Sequence, residues 1–90
     1  MKTLKSVAIS LTDYQTVNLP QGASVLSVAD VDGVISLSVI SEDTGSCNTR
    51  AVRAIKCGDP VDLPGQWQFV GSIVKSSFSW HIFVEVPENV

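Results

Sequence analysis

A strict alternation near the end of the chain constrains the fold more than any other feature. Over residues 78–86, one face is predicted to hold Phe78, Trp80, Ile82, Val84 and Val86, and the other face to hold Ser79, His81, Phe83 and Glu85. A period of two places successive side chains on opposite faces of a strand. The segment therefore predicts a β-strand with one face in the core, and it holds the only histidine of the chain on the other face.

The clearest turn signal is the dipeptide Asp32-Gly33, which is typical of tight β-hairpins. It separates two predicted strands, 24–29 and 34–40. The predicted pairs are Leu26 with Val39, Val28 with Leu37, Asp30 with Ile35, Ser27 with Ser38, and Ala29 with Ser36. A slip of one residue would destroy this match of apolar with apolar and small polar with small polar. A four-residue turn over 30–33 keeps the same faces, so the turn type stays open.

Three further alternations predict strands over 4–11, 15–19 and 67–74. In the last of them, one face is predicted to hold Trp67, Phe69, Gly71 and Ile73. Residues 41–49 have two acidic residues, a glycine and no apolar period, which predicts a loop.

Residues 50–56 fit either a short helix or a strand, and the Gly and Pro that follow favour a strand. In that strand Arg50 and Arg53 lie on opposite faces. An irregular connection is predicted over 58–65, which contains two prolines and two glycines. Six or seven strands without an amphipathic helix predict an all-β fold, a small antiparallel β-sandwich or open barrel.

Size and charge limit the classes of function. A chain of 90 residues predicts a single β domain over 1–90. Only 17% of its residues are charged, against about 25% in typical soluble domains, and this shortage predicts a homo-oligomer. A net charge of −3 with six Lys and Arg residues argues against nucleic-acid binding. No apolar run approaches the ~18–20 residues of a membrane helix, and the first ten residues lack the continuous apolar segment of a signal peptide.

The two cysteines are predicted to be free thiols and not part of a disulfide or a metal site. Without a secretion signal, Cys47 and Cys57 are expected to be free in a reducing cytosol. A structural zinc site normally uses four Cys or His ligands, and the chain has three such residues in total, widely spaced. We therefore expect neither a metal nor another cofactor.

A cluster of positive charge is the strongest candidate for ligand binding. Arg50, Arg53 and Lys56 supply three of the six positive side chains within seven residues. They are expected to bind an anionic small molecule or an acidic patch on a partner protein, and Arg53 suits bidentate recognition of phosphate or carboxylate. The alternative is a solvated strand balanced by Glu42 and Asp43.

Aromatic residues complete the predicted ligand set. Trp67 and Trp80 are candidates for stacking on a base, with a role in the core as the alternative. His81 is a candidate ligand or interface residue. A catalytic role would need a serine from another strand, because same-face neighbours on one strand lie about 6.6–6.8 Å apart. No nucleophile-elbow or phosphate-loop motif is present, so we predict no catalytic residues and no enzyme activity.

A series of short motifs follows in order along most of the chain. They are Leu-Pro-Gln-Gly-Ala at 19–23, Val-Leu-Ser-Val at 25–28, Asp-Gly at 32–33, Gly-Asp-Pro at 58–60, Phe-Val-Gly-Ser-Ile at 69–73 and Trp-His-Ile-Phe at 80–83. This order resembles a family of short proteins from tailed bacteriophages, with the pattern L-P-x-G-A, hairpin, T-G-H-P, (F/Y)-(V/I)-G-T and W-H-V-F. Cys57 and Asp59 stand where that pattern has Thr and His, and Ser72 replaces a Thr.

The resemblance implies an accessory phage protein that acts in the cytoplasm of an infected bacterium. By analogy with small phage proteins of that kind, we expect it to counter host defence by sequestering a small anionic ligand such as a nucleotide signal. An inhibitor of a host enzyme, which presents a sheet edge or the 41–49 loop, is the alternative. A minor structural phage protein is the third interpretation.

Overall fold

The computed structural model describes residues 2–42 and 45–86. The strands are β1 (Lys2–Ile9), β2 (Gln15–Pro20), β3 (Ser24–Val31), β4 (Val34–Glu42), β5 (Cys47–Lys56), β6 (Trp67–Lys75) and β7 (Phe78–Glu85). They form two antiparallel sheets, sheet A in the order β1-β4-β3 and sheet B in the order β2-β5-β7-β6. The predicted antiparallel β-sandwich is confirmed, and residues 50–56 are strand. Among the described residues, no helix has the length and apolar character needed to cross a membrane.

The core lies between the sheets and is centred on β7, as the alternation predicted. Ile82 and Val84 are fully buried, and they pair with Ala54 and Val52 of β5. Sheet A contributes Leu37, which is also fully buried, from β4. The pattern weakens at the start of β7, because Phe78 is half exposed and its ring lies under the Lys56 ammonium group instead.

The predicted hairpin is present, and its register is confirmed from Ser27 to Val31. A β-bulge between Val25 and Ser27 changes the remaining pair: Val25, not Leu26, lies opposite Val39. Leu26 is therefore 54% exposed. The extra residue of a bulge is left out of the ladder, and alternation alone does not locate it. The Asp30 carboxylate accepts a hydrogen bond from the Gly33 amide at 2.9 Å and so stabilises the turn.

A second bulge, in β6 between Phe69 and Gly71, corrects another prediction. Phe69 does not share a face with Gly71 and Ile73. Ile73 is buried in the core, whereas Phe69 pairs with Phe83 on the outer face of sheet B and is 55% exposed. Gly71 allows a close approach of the two sheets, because a Cβ there would lie 3.0 Å from Cγ1 of Val28.

The predicted 41–49 loop is shorter than expected, because β4 continues to Glu42 and β5 begins at Cys47. Long β-strands reach into it from both sides, although its composition is that of a loop. Glu42 and Asp43 are the two acids that were predicted to balance the charge of β5. Glu42 is among the described residues, and Asp43 lies outside them. Cys47 and Cys57 are exposed free cysteines.

The 57–66 segment crosses sheet B over its outer face. Both β5 and β6 run antiparallel to β7, which lies between them, so they are parallel to each other. Their connection must therefore travel the length of the sheet. Ile55 is on the outer face and yet only 5% exposed, and Arg53 on the same face donates a hydrogen bond to the Asp62 carbonyl of this segment at 2.7 Å. We call residues 57–66 the crossing segment.

Candidate functional site

The five predicted ligand residues lie in three places. Arg50 and Trp67 line one cavity, near the point where β7 ends. Trp80 lines a different cavity and packs against the core. Arg53 and His81 are on the outer face of sheet B, opposite Phe83 and Ile55 respectively. The structure therefore brings together one arginine and one tryptophan of the predicted set.

Arg50 is buried, with 6% of its surface exposed, although its side chain is charged. Its Nε and Nη2 both donate to the carbonyl oxygen of Glu85, at 3.0 and 2.7 Å, and Nη1 donates to that of Ala23 at 3.0 Å. The guanidinium thus ties β5 to the end of β7 and to the residue before β3. The pKa of Arg50 is lowered from its ordinary value because burial disfavours the charged form. The Glu85 carboxylate acts in the opposite direction and offsets only part of this effect. Arginine stays protonated in proteins, so the site holds a positive charge.

A cavity of about 750 Å³ opens beside this guanidinium. Its walls are Arg50, Trp67, Glu85 and a remainder of neutral residues, which are Asn48, Thr49, Pro64, Gly65, Gln66 and Val86. We call it the Arg50–Trp67 cavity. Pockets for small molecules typically measure about 300–1,000 Å³, so its size suits a ligand of that class.

The polar groups of the cavity are partly engaged by the chain itself. The Trp67 indole N–H donates to the Pro64 carbonyl at 2.9 Å, and the Thr49 hydroxyl donates to Asn18 Oδ1 at 3.1 Å. The Glu85 carboxylate accepts a hydrogen bond from the Ala51 amide at 3.2 Å. A guanidinium has five N–H groups, and the three hydrogen bonds of Arg50 to Glu85 and Ala23 use three of them. The arrangement suits a ligand with one acceptor-rich group and one flat apolar part.

Arg53 binds an acid of its own chain. Its Nη2 lies 2.8 Å from Oδ1 of Asp13, and Nε donates to the Asp13 carbonyl at 3.0 Å. The remaining contact is from Nη1 to the carbonyl of Asp62 at 2.7 Å. The fork that predicted anion recognition thus holds the turn after β1 and the crossing segment against sheet B. An external anion would have to displace these partners.

Trp80 lies on the core side of β7, which favours a role in the core over stacking on a ligand. It packs against the hydrophobic core and lines a cavity of about 300 Å³ with Leu11, Ile55 and Pro60 among others. A tryptophan in this position contributes a large apolar surface to the fold.

His81 does meet a serine from another strand. Ser72 of β6 is its cross-strand partner, and the hydroxyl Oγ lies 2.8 Å from Nδ1 of His81. Among the residues that the structure describes, no carboxylate makes a hydrogen bond to the ring. In a nucleophilic triad the base receives orientation from a third group, so this pair orients the ring but does not form a triad.

His81 belongs to a cluster that sequence reasoning missed. The ring centroid of Phe69 lies 6.2 Å from that of His81 and 5.5 Å from that of Phe83. We call Phe69, His81 and Phe83 the aromatic face. Phe83 was predictable from the alternation of β7, but Phe69 was assigned to the opposite face. The available signal was Gly71, because a glycine inside a strand pattern often marks a bulge.

The Arg50–Trp67 cavity was also only half predicted. Glu85 was expected on the outer face of β7 and not as a neighbour of Arg50. Gln66 belongs to the crossing segment, whose path depends on the strand order of sheet B.

Comparisons with known proteins identify the family of the chain. No curated protein and no solved structure is similar enough to match it. A family model does match, over residues 1–90, and its description is a domain of unknown function, DUF7352. The match spans the whole chain, and this protein therefore belongs to the DUF7352 family.

Proposed function

We propose that this chain is a non-catalytic phage accessory protein that acts as a homo-oligomer in the cytoplasm of the infected host. It counters host defence by binding and sequestering a small anionic ligand, such as a nucleotide signal. The observation that supports ligand binding is the convergence of Arg50 and Trp67 on one cavity of about 750 Å³. The phage setting and the anti-defence role rest on the sequence resemblance.

Electrostatics favours an anionic group in this cavity. The hydrogen bonds of Arg50 within the described residues go to carbonyl oxygens, which are neutral dipoles. They satisfy the guanidinium without cancelling its charge. A charge that is screened little by water attracts an anion more strongly than an exposed one. Glu85 opposes this attraction, so the preferred ligand places its anionic group beside Arg50 and its flat part beside Trp67.

The test is to measure binding of a panel of nucleotides, linear and cyclic, by isothermal titration calorimetry. The informative variant is Gln66→Glu, which adds a negative charge to the cavity at an exposed position. Repulsion should weaken binding by about tenfold or more, which corresponds to about 1.4 kcal/mol. Gln21→Glu is the matched control, because Gln21 is exposed and is not part of the cavity wall.

Equal loss in both variants, or no binding of any nucleotide to the unaltered protein at millimolar concentration, would refute the anionic-ligand proposal. Native mass spectrometry of protein purified from infected cells supplies an independent readout. A bound mass of a few hundred daltons supports sequestration.

The aromatic face favours a second candidate, inhibition of a host protein. Phe69 is 55% exposed next to Phe83 and His81, and aromatic residues are enriched in the cores of protein interfaces. The 41–49 loop is the other candidate surface for this role, and its residues 43 and 44 lie outside the described residues. A bound host protein in the same mass spectrum would select this candidate. The third candidate is a structural phage protein. If it is correct, the protein should be found in purified virions.

A further inference from the structure

The four edge strands of the sandwich differ in how well they resist pairing with another chain. Strand β2 ends in Pro20, which has no amide hydrogen to donate. Strands β3 and β6 each contain a bulge. Bulges, prolines and charged side chains, lysine above all, are devices by which edge strands avoid unwanted pairing. Strand β1 has no bulge and no proline, because all of Lys2–Ile9 pairs with β4 without a shift in register, and Lys5 is its one charged side chain on the core side.

The edges of β3 and β6 are also covered by each other. Gln68 of β6 donates its side-chain amide to the Val25 carbonyl of β3 at 3.0 Å. Near the other end of the two strands, the Lys75 ammonium group lies 3.5 Å from the Asp30 carboxylate and donates to the Gly33 carbonyl at 3.0 Å. Among the described residues, no hydrogen bond or ion pair of this kind ties β1 to sheet B, and Leu4 on β1 is 63% exposed. The β1 side is thus the open edge of sheet A.

We propose that β1 pairs antiparallel with β1 of a second copy of this chain, about a two-fold axis that passes through Ser6. The two copies of sheet A then form one continuous six-stranded sheet. The proposed function includes a homo-oligomer without an interface, and this pairing gives that oligomer a defined one. The pairing does not depend on which ligand the protein binds.

The side-chain pattern selects this register. A two-fold axis normal to the sheet keeps core-facing residues opposite core-facing residues only when it passes through a residue. An axis at Ser6 pairs Leu4 with the partner's Ala8, and Lys5 with the partner's Val7. An axis at Lys5 would set two like charges directly opposite, which is destabilising. An axis at Val7 would leave the first part of β1 unpaired.

The outer face of sheet A supports a second copy as the occupant. Along the part of β1 that would pair, this face has no charged side chain, and its residues are Leu4, Ser6, Ala8, Ser24, Ser27, Ala29, Ser36, Ser38 and Ile40. The same surface on a second copy therefore meets it without like-charge repulsion. A partner of strong charge would find no complementary charge there.

The test is a disulfide that only this two-fold axis can form. Directly opposite residues of antiparallel strands have Cα atoms about 4.5–5.5 Å apart, within the roughly 4.4–6.8 Å that a disulfide requires. The variant is Ser6→Cys in a chain that also has Cys47→Ser and Cys57→Ser, since both natural cysteines are exposed. Ser24→Cys in the same background is the control, because Ser24 is exposed on the same face at the other edge strand.

Under mild oxidation, Ser6→Cys should give a covalent dimer at least about tenfold faster than Ser24→Cys. Under reducing conditions, light scattering of the unaltered protein should give twice the chain mass of 9.6 kDa. Equal rates for the two variants, or a mass of 9.6 kDa at 100 micromolar, would overturn the proposal. Because neither measurement involves a nucleotide, failure here is distinct from failure of the ligand proposal.

Discussion

Two arginines that lie three positions apart on β5 differ in the groups that they bind. Arg50 is on the core side, buried, and hydrogen-bonded to the carbonyl oxygens of Glu85 and Ala23. Arg53 is on the outer side and forms an ion pair with Asp13, whose side chain is 75% exposed. The strand period alone separates the two side chains, because residues at odd spacing point to opposite faces.

The difference concerns what each guanidinium has left to offer a ligand. Asp13 neutralises the charge of Arg53 at a distance of 2.8 Å, so this side chain is committed to holding the turn after β1 and the crossing segment. The carbonyl partners of Arg50 leave its charge in place. Burial therefore does not remove Arg50 from the candidate site, whereas a place on the outer face does not make Arg53 available.

The largest effect should come from Arg50→Ala. The change removes three part-buried hydrogen bonds and leaves the carbonyl oxygens of Glu85 and Ala23 without this donor. Unsatisfied buried polar groups cost about 1–3 kcal/mol each, so the free energy of unfolding should fall by about 3 kcal/mol. Chemical denaturation measures it. A loss under about 1 kcal/mol would mean that water replaces the guanidinium at little cost.

Arg53→Ala should cost less, about 1 kcal/mol, because the side chain of its ion-pair partner Asp13 is 75% exposed and water can solvate that carboxylate. The local effect should be larger than the global one. In Arg53→Ala the crossing segment loses its contact with Arg53 through Asp62. Its amide hydrogens should therefore exchange faster than they do in the unaltered protein, while exchange in the core strands should change less. Hydrogen exchange with mass spectrometry checks this, with Lys75→Ala as a control at an ion pair that does not contact the crossing segment. Unchanged exchange in residues 57–66 would contradict the holding role.

The sequence was sufficient for the strands and insufficient for the site. Periods of two located β7 and the hairpin, because the core accepts only one face of each strand. Two bulges were not predictable from alternation, and one of them moved Phe69 to the surface. The Arg50–Trp67 cavity requires the strand order of sheet B, since Trp67 and Arg50 belong to strands that β7 separates. Local patterns contain no information on that order.

The smallest expected effect is a difference between the two arginines in how salt changes their contribution to stability. An exposed ion pair is screened when the Debye length falls from about 10 Å at 0.1 M salt to about 3 Å at 1 M. The stability difference between the unaltered protein and Arg53→Ala should therefore shrink by a few tenths of a kcal/mol in 1 M sodium chloride, roughly the Coulomb part of such a pair. The corresponding difference for Arg50→Ala should change less, because its hydrogen bonds go to neutral carbonyl oxygens and the Glu85 carboxylate is the charge that acts on it. Taking differences between proteins at each salt concentration cancels the general effect of salt on folding. An equal response of the two variants would show that the Glu85 carboxylate compensates Arg50 as strongly as Asp13 compensates Arg53. That result would weaken the assignment of Arg50 as the anion-attracting group of the cavity.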